Sequence, residues 1–170
     1  MAFESISYPE DKGARYARLL AQAETLTDGI PQPIPNLANL AVLLYQGLPQ
    51  INWAGFYLMD QGSLLLGPFA GLPACIRIPL GRGVCGTAAA SDSVQRIANV
   101  HEFPGHIACD SASNSEIVLP IHAQGCVVGV LDIDSPILNR FDEVDEAGLR
   151  QLVALIEVQC DFSLTGYSLN

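Results

Sequence analysis

Three cysteines set among glycines, small residues and carboxylates carry the chemical promise of this chain. They stand in Pro73-Ala74-Cys75-Ile76-Arg77, in Gly81-Arg82-Gly83-Val84-Cys85-Gly86-Thr87 and in Pro104-Gly105-His106-Ile107-Ala108-Cys109-Asp110-Ser111. A set of this kind points to thiol redox chemistry. None of the five cysteines forms the Cys-x-x-Cys pair of zinc sites and thioredoxin-like motifs. A metal centre is therefore not expected, and no organic cofactor is called for. The acidic start Met1-Ala2-Phe3-Glu4-Ser5 has neither the basic nor the apolar region of an export signal. With an odd cysteine count, this predicts a reducing cytoplasm, where disulfides are transient and catalytic.

The run Gly81-Arg82-Gly83-Val84-Cys85-Gly86 also matches G-x-G-x-x-G and opens a helix-prone Thr87-Ala88-Ala89-Ala90. A dinucleotide site needs an acid about twenty residues further on. Here that place is held by His106, and the flanking strands read as hairpins, so the nucleotide reading is set aside. What remains is a glycine loop opening a helix, whose free N–H groups and positive dipole end would lower the pKa of the Cys85 thiol.

Carboxylates form a second constellation. In Cys126-Val127-Val128-Gly129-Val130-Leu131-Asp132-Ile133-Asp134, a two-residue period puts Val128, Val130, Asp132 and Asp134 on one face. Two like charges at i and i+2 repel unless something positive or protonated sits between them. Glu116, on the expected hairpin partner, can reach the same place, and three acids around a pocket suit a ligand ammonium group. The residues equally allow a solvated strand end with an Asx turn before Pro136. Trp53 and Tyr57, four apart on a strand, share a face. Aromatic pairs most often fill cores; on a pocket face they would form a flat apolar wall. His101 and His106 read as structural loop residues, and Cys126 and Cys160, at apolar periodic positions, as inert core thiols.

The elements that must position these groups follow from periodicity. A helix is predicted over Lys12–Asp28, ended by Gly29 and the prolines at 31, 33 and 35, and a second over Asn36–Gln46. Strands are predicted over 51–59, 64–69, 75–79, 116–123 and 126–134, with a hairpin at Ala123-Gln124-Gly125-Cys126. A last helix is predicted from Asp142 as N-cap to about Cys160. The order implies an α+β domain, with the first and last helices on one face of a mostly antiparallel sheet of about six strands and a pocket on the other. The irregular stretch from Asn99 to Ser115 reads as a functional loop. With 170 residues, 49% hydrophobic and 15% charged, the chain can bury one well-packed core. It is read as a single domain over 1–170, helical over 1–48, with sheet, pocket loops and closing helix over 49–163 and a tail over 164–170. A net charge of −10 gives no footprint for nucleic acid or an anionic membrane. Its longest apolar run, Leu40 to Leu44, is far short of a membrane span. Small molecules or proteins are the expected partners.

At these residues the chain resembles a known family. Asn52-Trp53-Ala54-Gly55-Phe56-Tyr57, Gly67-Pro68-Phe69, Gly81-Arg82-Gly83-Val84-Cys85-Gly86-Thr87-Ala88, Phe103-Pro104-Gly105-His106-Ile107-Ala108-Cys109-Asp110 and Gly129-Val130-Leu131-Asp132-Ile133-Asp134-Ser135-Pro136 closely resemble the free methionine-(R)-sulfoxide reductases, stand-alone GAF-domain enzymes. The likeness runs from about Tyr16 to Leu155. The resemblance implies reduction of free L-methionine (R)-sulfoxide, with Cys109 as attacking thiol, Cys75 as resolving thiol and Cys85 as an auxiliary thiol in regeneration. It implies Glu116, Asp132 and Asp134 as substrate-binding acids, Trp53 and Tyr57 as pocket aromatics, and a thioredoxin-type reductant; it is compatible with a homodimer. Two rival classes share the fold, a GAF domain that senses a small molecule and a regulator that stores a disulfide. A plain sensor has no need of three such thiols.

Overall fold

A computed structural model of the chain describes residues 7–105, 107 and 110–167. Helix α1 (Lys12–Thr27) starts where the Asp11 carboxylate accepts a 2.8 Å hydrogen bond from the Ala14 N–H, satisfying one of the orphan donors of the first turn. Helix α2 (Pro33–Gly47) begins three residues before the expected Asn36, with Pro33 and Pro35 inside it. Proline's missing N–H has no intrahelical partner to lose in a first turn, so these residues open α2 as well as following α1.

Six strands form one sheet: β1 (Trp53–Asp60), β2 (Ser63–Gly71), β3 (Arg77–Pro79), β4 (Gln95–Ile97), β5 (Ser115–Ala123) and β6 (Cys126–Ser135). They lie in the order β3-β2-β1-β6-β5-β4, and all neighbours are antiparallel. Strand β4 was not foreseen, because Gln95-Arg96-Ile97 shows no alternation. The β5–β6 connection is the expected hairpin; Gln124 and Gly125 both have positive φ, 52° and 79°, as a two-residue turn that follows strand twist requires. That turn places Cys126 at the exposed sheet end, which corrects its reading as a core thiol. Helix α3 (Gly83–Ser91) lies between β3 and β4, and α4 (Glu143–Gln159) follows β6, with a short 3-10 turn at Phe162–Thr165 after it.

Alternation in β1 divides the interior. Ala54, Phe56 and Leu58 point to the face covered by α1, α2 and α4, where Leu19, Leu37, Leu40, Leu44, Leu149 and Ile156 are buried. Trp53, Tyr57 and Met59 point to the other face, with Val84, Cys85 and Ala88 of α3. Fully burying each such side chain contributes about 1.5–3 kcal/mol, so both faces are strongly fixed. One position departs from the expected period. Ile121 pairs with Gly129 and His122 with Val127, so Val128 is an extra, bulged residue. It joins the helix-side core instead of sharing the face of Val130.

Two polar junctions fix the helices, one joining α1 to α4 and one joining α4 to the sheet. The first is at the start of α4, where Asp142 caps Val144 and Asp145 while Asp145 accepts from the Asp142 N–H. Fully buried Asp145 also accepts from Arg140 Nη1 at 3.0 Å and from the Tyr16 hydroxyl at 3.0 Å, and it meets Lys12. Nearby, a Cβ on Gly148 would stand 2.3 Å from Tyr16 Cγ. Gly148→Ala is therefore expected to destabilise the fold by about 2 kcal/mol, since overpacking of up to about 3 kcal/mol exceeds the helix-propensity gain of about 1 kcal/mol. Urea unfolding checks this, and an unchanged midpoint would refute the close approach of α1 and α4.

The second junction is His122 at the end of β5. Its Nε2 lies 2.7 Å from Asp92, just beyond α3, and its Nδ1 lies 2.8 Å from Glu157 of α4. Burial pulls the imidazole's pKa down, but the bonds and charges of Asp92 and Glu157 overcome this and raise it above 6.5. A folded pKa above the unfolded one contributes stability that is complete below the unfolded value and lost as pH rises through the folded value. Thermal stability should thus fall between about pH 6 and 8, and His122→Ala should flatten that slope. An equal slope in both proteins would show that the triad does not stabilise the fold. Among the described residues, no helix is long and apolar enough to cross a membrane.

Candidate functional site

The pocket lies on the sheet face opposite α1, α2 and α4. Register brings its acids together: Glu116 of β5 pairs with Asp134 of β6, and Asp132 stands two residues back on the same face. Glu116, Asp132 and Asp134 line one cavity with Trp53, Tyr57, Cys85 and Ile107. Glu116 and Asp132 are only 5% and 6% exposed, so the solvated strand end does not occur. The cavity has a volume of about 30 Å³, and Pro73, Ala74 and Ile107 are part of its lining.

The aromatic wall follows from a missing side chain. Gly55 lies between Trp53 and Tyr57 on the pocket face, and a Cβ there would sit 2.4 Å from Phe69 Cβ and 2.6 Å from Trp53 Cη2. Without it, the Trp53 ring stacks on Phe69 at 5.4 Å and on Tyr57 at 5.9 Å. Trp53 and Tyr57 are both core-buried and pocket-lining. Their polar tips have a further task. Trp53 Nε1 donates to the Leu72 carbonyl and the Tyr57 hydroxyl to the Cys75 carbonyl, each at 3.1 Å. The wall thereby holds the segment that carries Cys75.

Cys75 is half-buried and disulfide-bonded, whereas Cys85, Cys126 and Cys160 are free. Cys109 and His106 lie outside the described residues. Asp110, next in the chain to Cys109, lines the pocket and is held by Asn52, whose Nδ2 donates to Asp110 Oδ2 at 2.8 Å and to Ser113 Oγ at 3.0 Å. These three residues were not singled out in the sequence as site residues. The Asp-Ser-Ala-Ser run was the available signal, since Asp110 Oδ1 accepts from the Ala112 N–H as an Asx turn does. His101 is the structural loop residue expected, 2.8 Å from Asn114 Oδ1.

Cys85 requires a correction. It sits in the first turn of α3, but burial pushes its thiol well up, and the negative charges of Asp132 and Glu116 push it further. Burial and three acids outweigh the helix dipole, which falls off within a turn. Its Sγ lies 3.8 Å from Glu116 Oε1. The acids are shifted alike. Burial raises Asp132 to about 6, although its neighbours Cys85 and Glu116 act to lower it. Glu116 and Asp134 rise well above the carboxylate range through burial and then the charge of Asp132. No described lysine or arginine forms a salt bridge with them. Full ionisation of the cluster is therefore disfavoured. Cys85, Glu116 and Asp132 each offer a ligand atom, all within 4.8 Å of one another.

The GAF domain family model matches residues 24–160. The chain is 57% identical over 142 residues to the free methionine-R-sulfoxide reductase of Escherichia coli, covering 84% of this chain and 86% of that protein. Among solved structures, it resembles the free methionine-R-sulfoxide reductase of Neisseria meningitidis in complex with its substrate, with TM-score 0.88, 41% identity and 92% and 95% of the two chains covered. It also resembles the fRMsr of Staphylococcus aureus in complex with substrate, with TM-score 0.82, 50% identity and 85% and 94% covered.

Proposed function

Because the chain belongs to the GAF-domain free methionine-R-sulfoxide reductases, we propose that it reduces free L-methionine (R)-sulfoxide with the thiols and carboxyls gathered at this pocket. It is an oxidoreductase. The observation that carries the site assignment is a cavity in which three acids, with no lysine or arginine salt bridge among the described residues, face a stacked aromatic wall that holds disulfide-bonded Cys75.

The substrate's ammonium group takes the place of protons among Glu116, Asp132 and Asp134, and its methyl sulfoxide lies along Trp53 and Tyr57. The Cys109 thiolate attacks the sulfoxide sulfur, and a buried carboxyl protonates the oxygen, which leaves the substrate sulfur and ends on the cysteine. The products are methionine and a Cys109 sulfenic acid. The Cys75 thiol then displaces hydroxide from that sulfur, which departs as water with the thiol's proton, and a disulfide forms. A dithiol reductant of thioredoxin type in a reducing cytoplasm restores both thiols by two exchange steps. Cys75 resolves first. Cys85, 4% exposed and with a raised pKa, enters regeneration only after it.

Turnover with dithiothreitol tests the assignment against a sensor or a disulfide-storing regulator. Many equivalents of methionine per chain are expected from the R sulfoxide; binding without turnover, or one equivalent only, would refute it.

A further inference from the structure

An ammonium ion explains the three acids but does not explain why a thiol stands among them while the substrate is bound. Cys85 is buried, its Sγ is 3.8 Å from Glu116 Oε1, and Asp132 Oδ1 is buried with no hydrogen-bond partner among the described residues. A thiol is a poor partner for ammonium and a strong one for borderline divalent metals. One thiolate with two carboxylates suits Zn²⁺, Co²⁺ or Cd²⁺ better than Mg²⁺ or Ca²⁺. The donor atoms lie within 4.8 Å of one another, and contraction to the roughly 3.5 Å separation of tetrahedral donors is a side-chain adjustment. The cavity of about 30 Å³ has room for an ion of this kind.

We propose that Cys85, Glu116 and Asp132 form a Zn²⁺-type cation site, in which the metal occupies the place of the substrate's ammonium group and reversibly inhibits the enzyme. The three ligands come from α3, β5 and β6, so no sequence spacing announces them. The fourth position faces the cavity and is left for water. As the metal binds, the Cys85 S–H bond breaks and the sulfur's electron pair forms the metal bond; this proton and any held by the Glu116 and Asp132 carboxyls leave to solvent, and no oxidation is involved. The competition with substrate rests on the reading of the acids given above, whereas the binding itself does not.

Co²⁺ titration of the full-length protein, with the Cys75 disulfide kept intact, tests the site without interference from that thiol. A near-ultraviolet sulfur-to-cobalt band is expected that Zn²⁺ abolishes by displacement. It should persist in Cys126→Ser and Cys160→Ser and vanish in Cys85→Ser. Asp132→Asn, nearly the same shape, should weaken Zn²⁺ binding at least tenfold while the thermal unfolding midpoint shows the fold intact. Absence of the band, or its loss with Cys126→Ser, would overturn the site. Free methionine sulfoxide should displace the metal competitively; a band that depends on Cys85 yet resists the sulfoxide would support the metal site and refute the ammonium assignment.

Discussion

Replacing Cys109 with serine is expected to abolish reduction altogether, while Cys75→Ser still releases about one methionine per chain and then stops. Attack precedes resolution, so the second variant should accumulate a sulfenic acid that has no partner. A single-turnover assay with quantified methionine, followed by a sulfenic-acid probe, separates the two variants. The order of the thiols draws support from three placements. Asp110, the neighbour of Cys109, lines the pocket and is fixed by Asn52. Cys75 hangs from the Tyr57 hydroxyl through its carbonyl. Cys85 is buried beside the acids, and its thiol pKa is raised. Wild-type protein given stoichiometric sulfoxide and no reductant should accordingly yield a Cys75–Cys109 disulfide on peptide mapping. Cys126, at the exposed hairpin end, should alkylate in the folded state, and Cys160 only after unfolding. Normal turnover by Cys109→Ser would end the nucleophile assignment.

Much of this architecture was legible because local and long-range signals agree. Asp142 reads as an N-cap, and the structure completes it as a capping box with Asp145. The glycine-containing turn at Gln124-Gly125 reads as a hairpin, and its register brings Glu116 opposite Asp134. The misreadings have physical causes of one kind. A two-residue period cannot reveal an extra residue, so the bulge at Val128 was hidden. Cys126 belongs to an apolar run, but the turn beside it decides its exposure. For Cys85, the dipole of its own helix was visible, whereas the opposing acids come from β5 and β6 and are known only once the sheet is assembled. The strand β4 pairs Gln95 to Ile97 with Val118 to Glu116, a contact its own sequence does not foretell.

The acid cluster makes the strongest demand on the substrate. A free amino acid brings an ammonium group, whereas methionine sulfoxide inside a polypeptide has a neutral amide at that place and more chain on both sides. Glu116 and Asp132 are buried, and burial raises the pKa of all three acids, with the charge of Asp132 adding to the rise at Glu116 and Asp134. Removing one partner of a buried charge pair costs about 2–5 kcal/mol, so at about 1.4 kcal/mol per factor of ten the free amino acid should be preferred by some tens to thousands of fold. N-acetyl methionine sulfoxide isolates the charge with little added bulk. Its kcat/KM is expected to fall in that range below the value for the free compound. Asp132→Asn keeps the shape of the cavity and removes one charge, so it should slow the free substrate and leave the acetylated one nearly unchanged, narrowing the gap. The two arms discriminate between roles. If Asp132 served proton transfer and not recognition, both substrates would slow together in the variant. Equal kcat/KM for the two compounds on the wild-type protein would mean that the acids do not meet the ammonium at all.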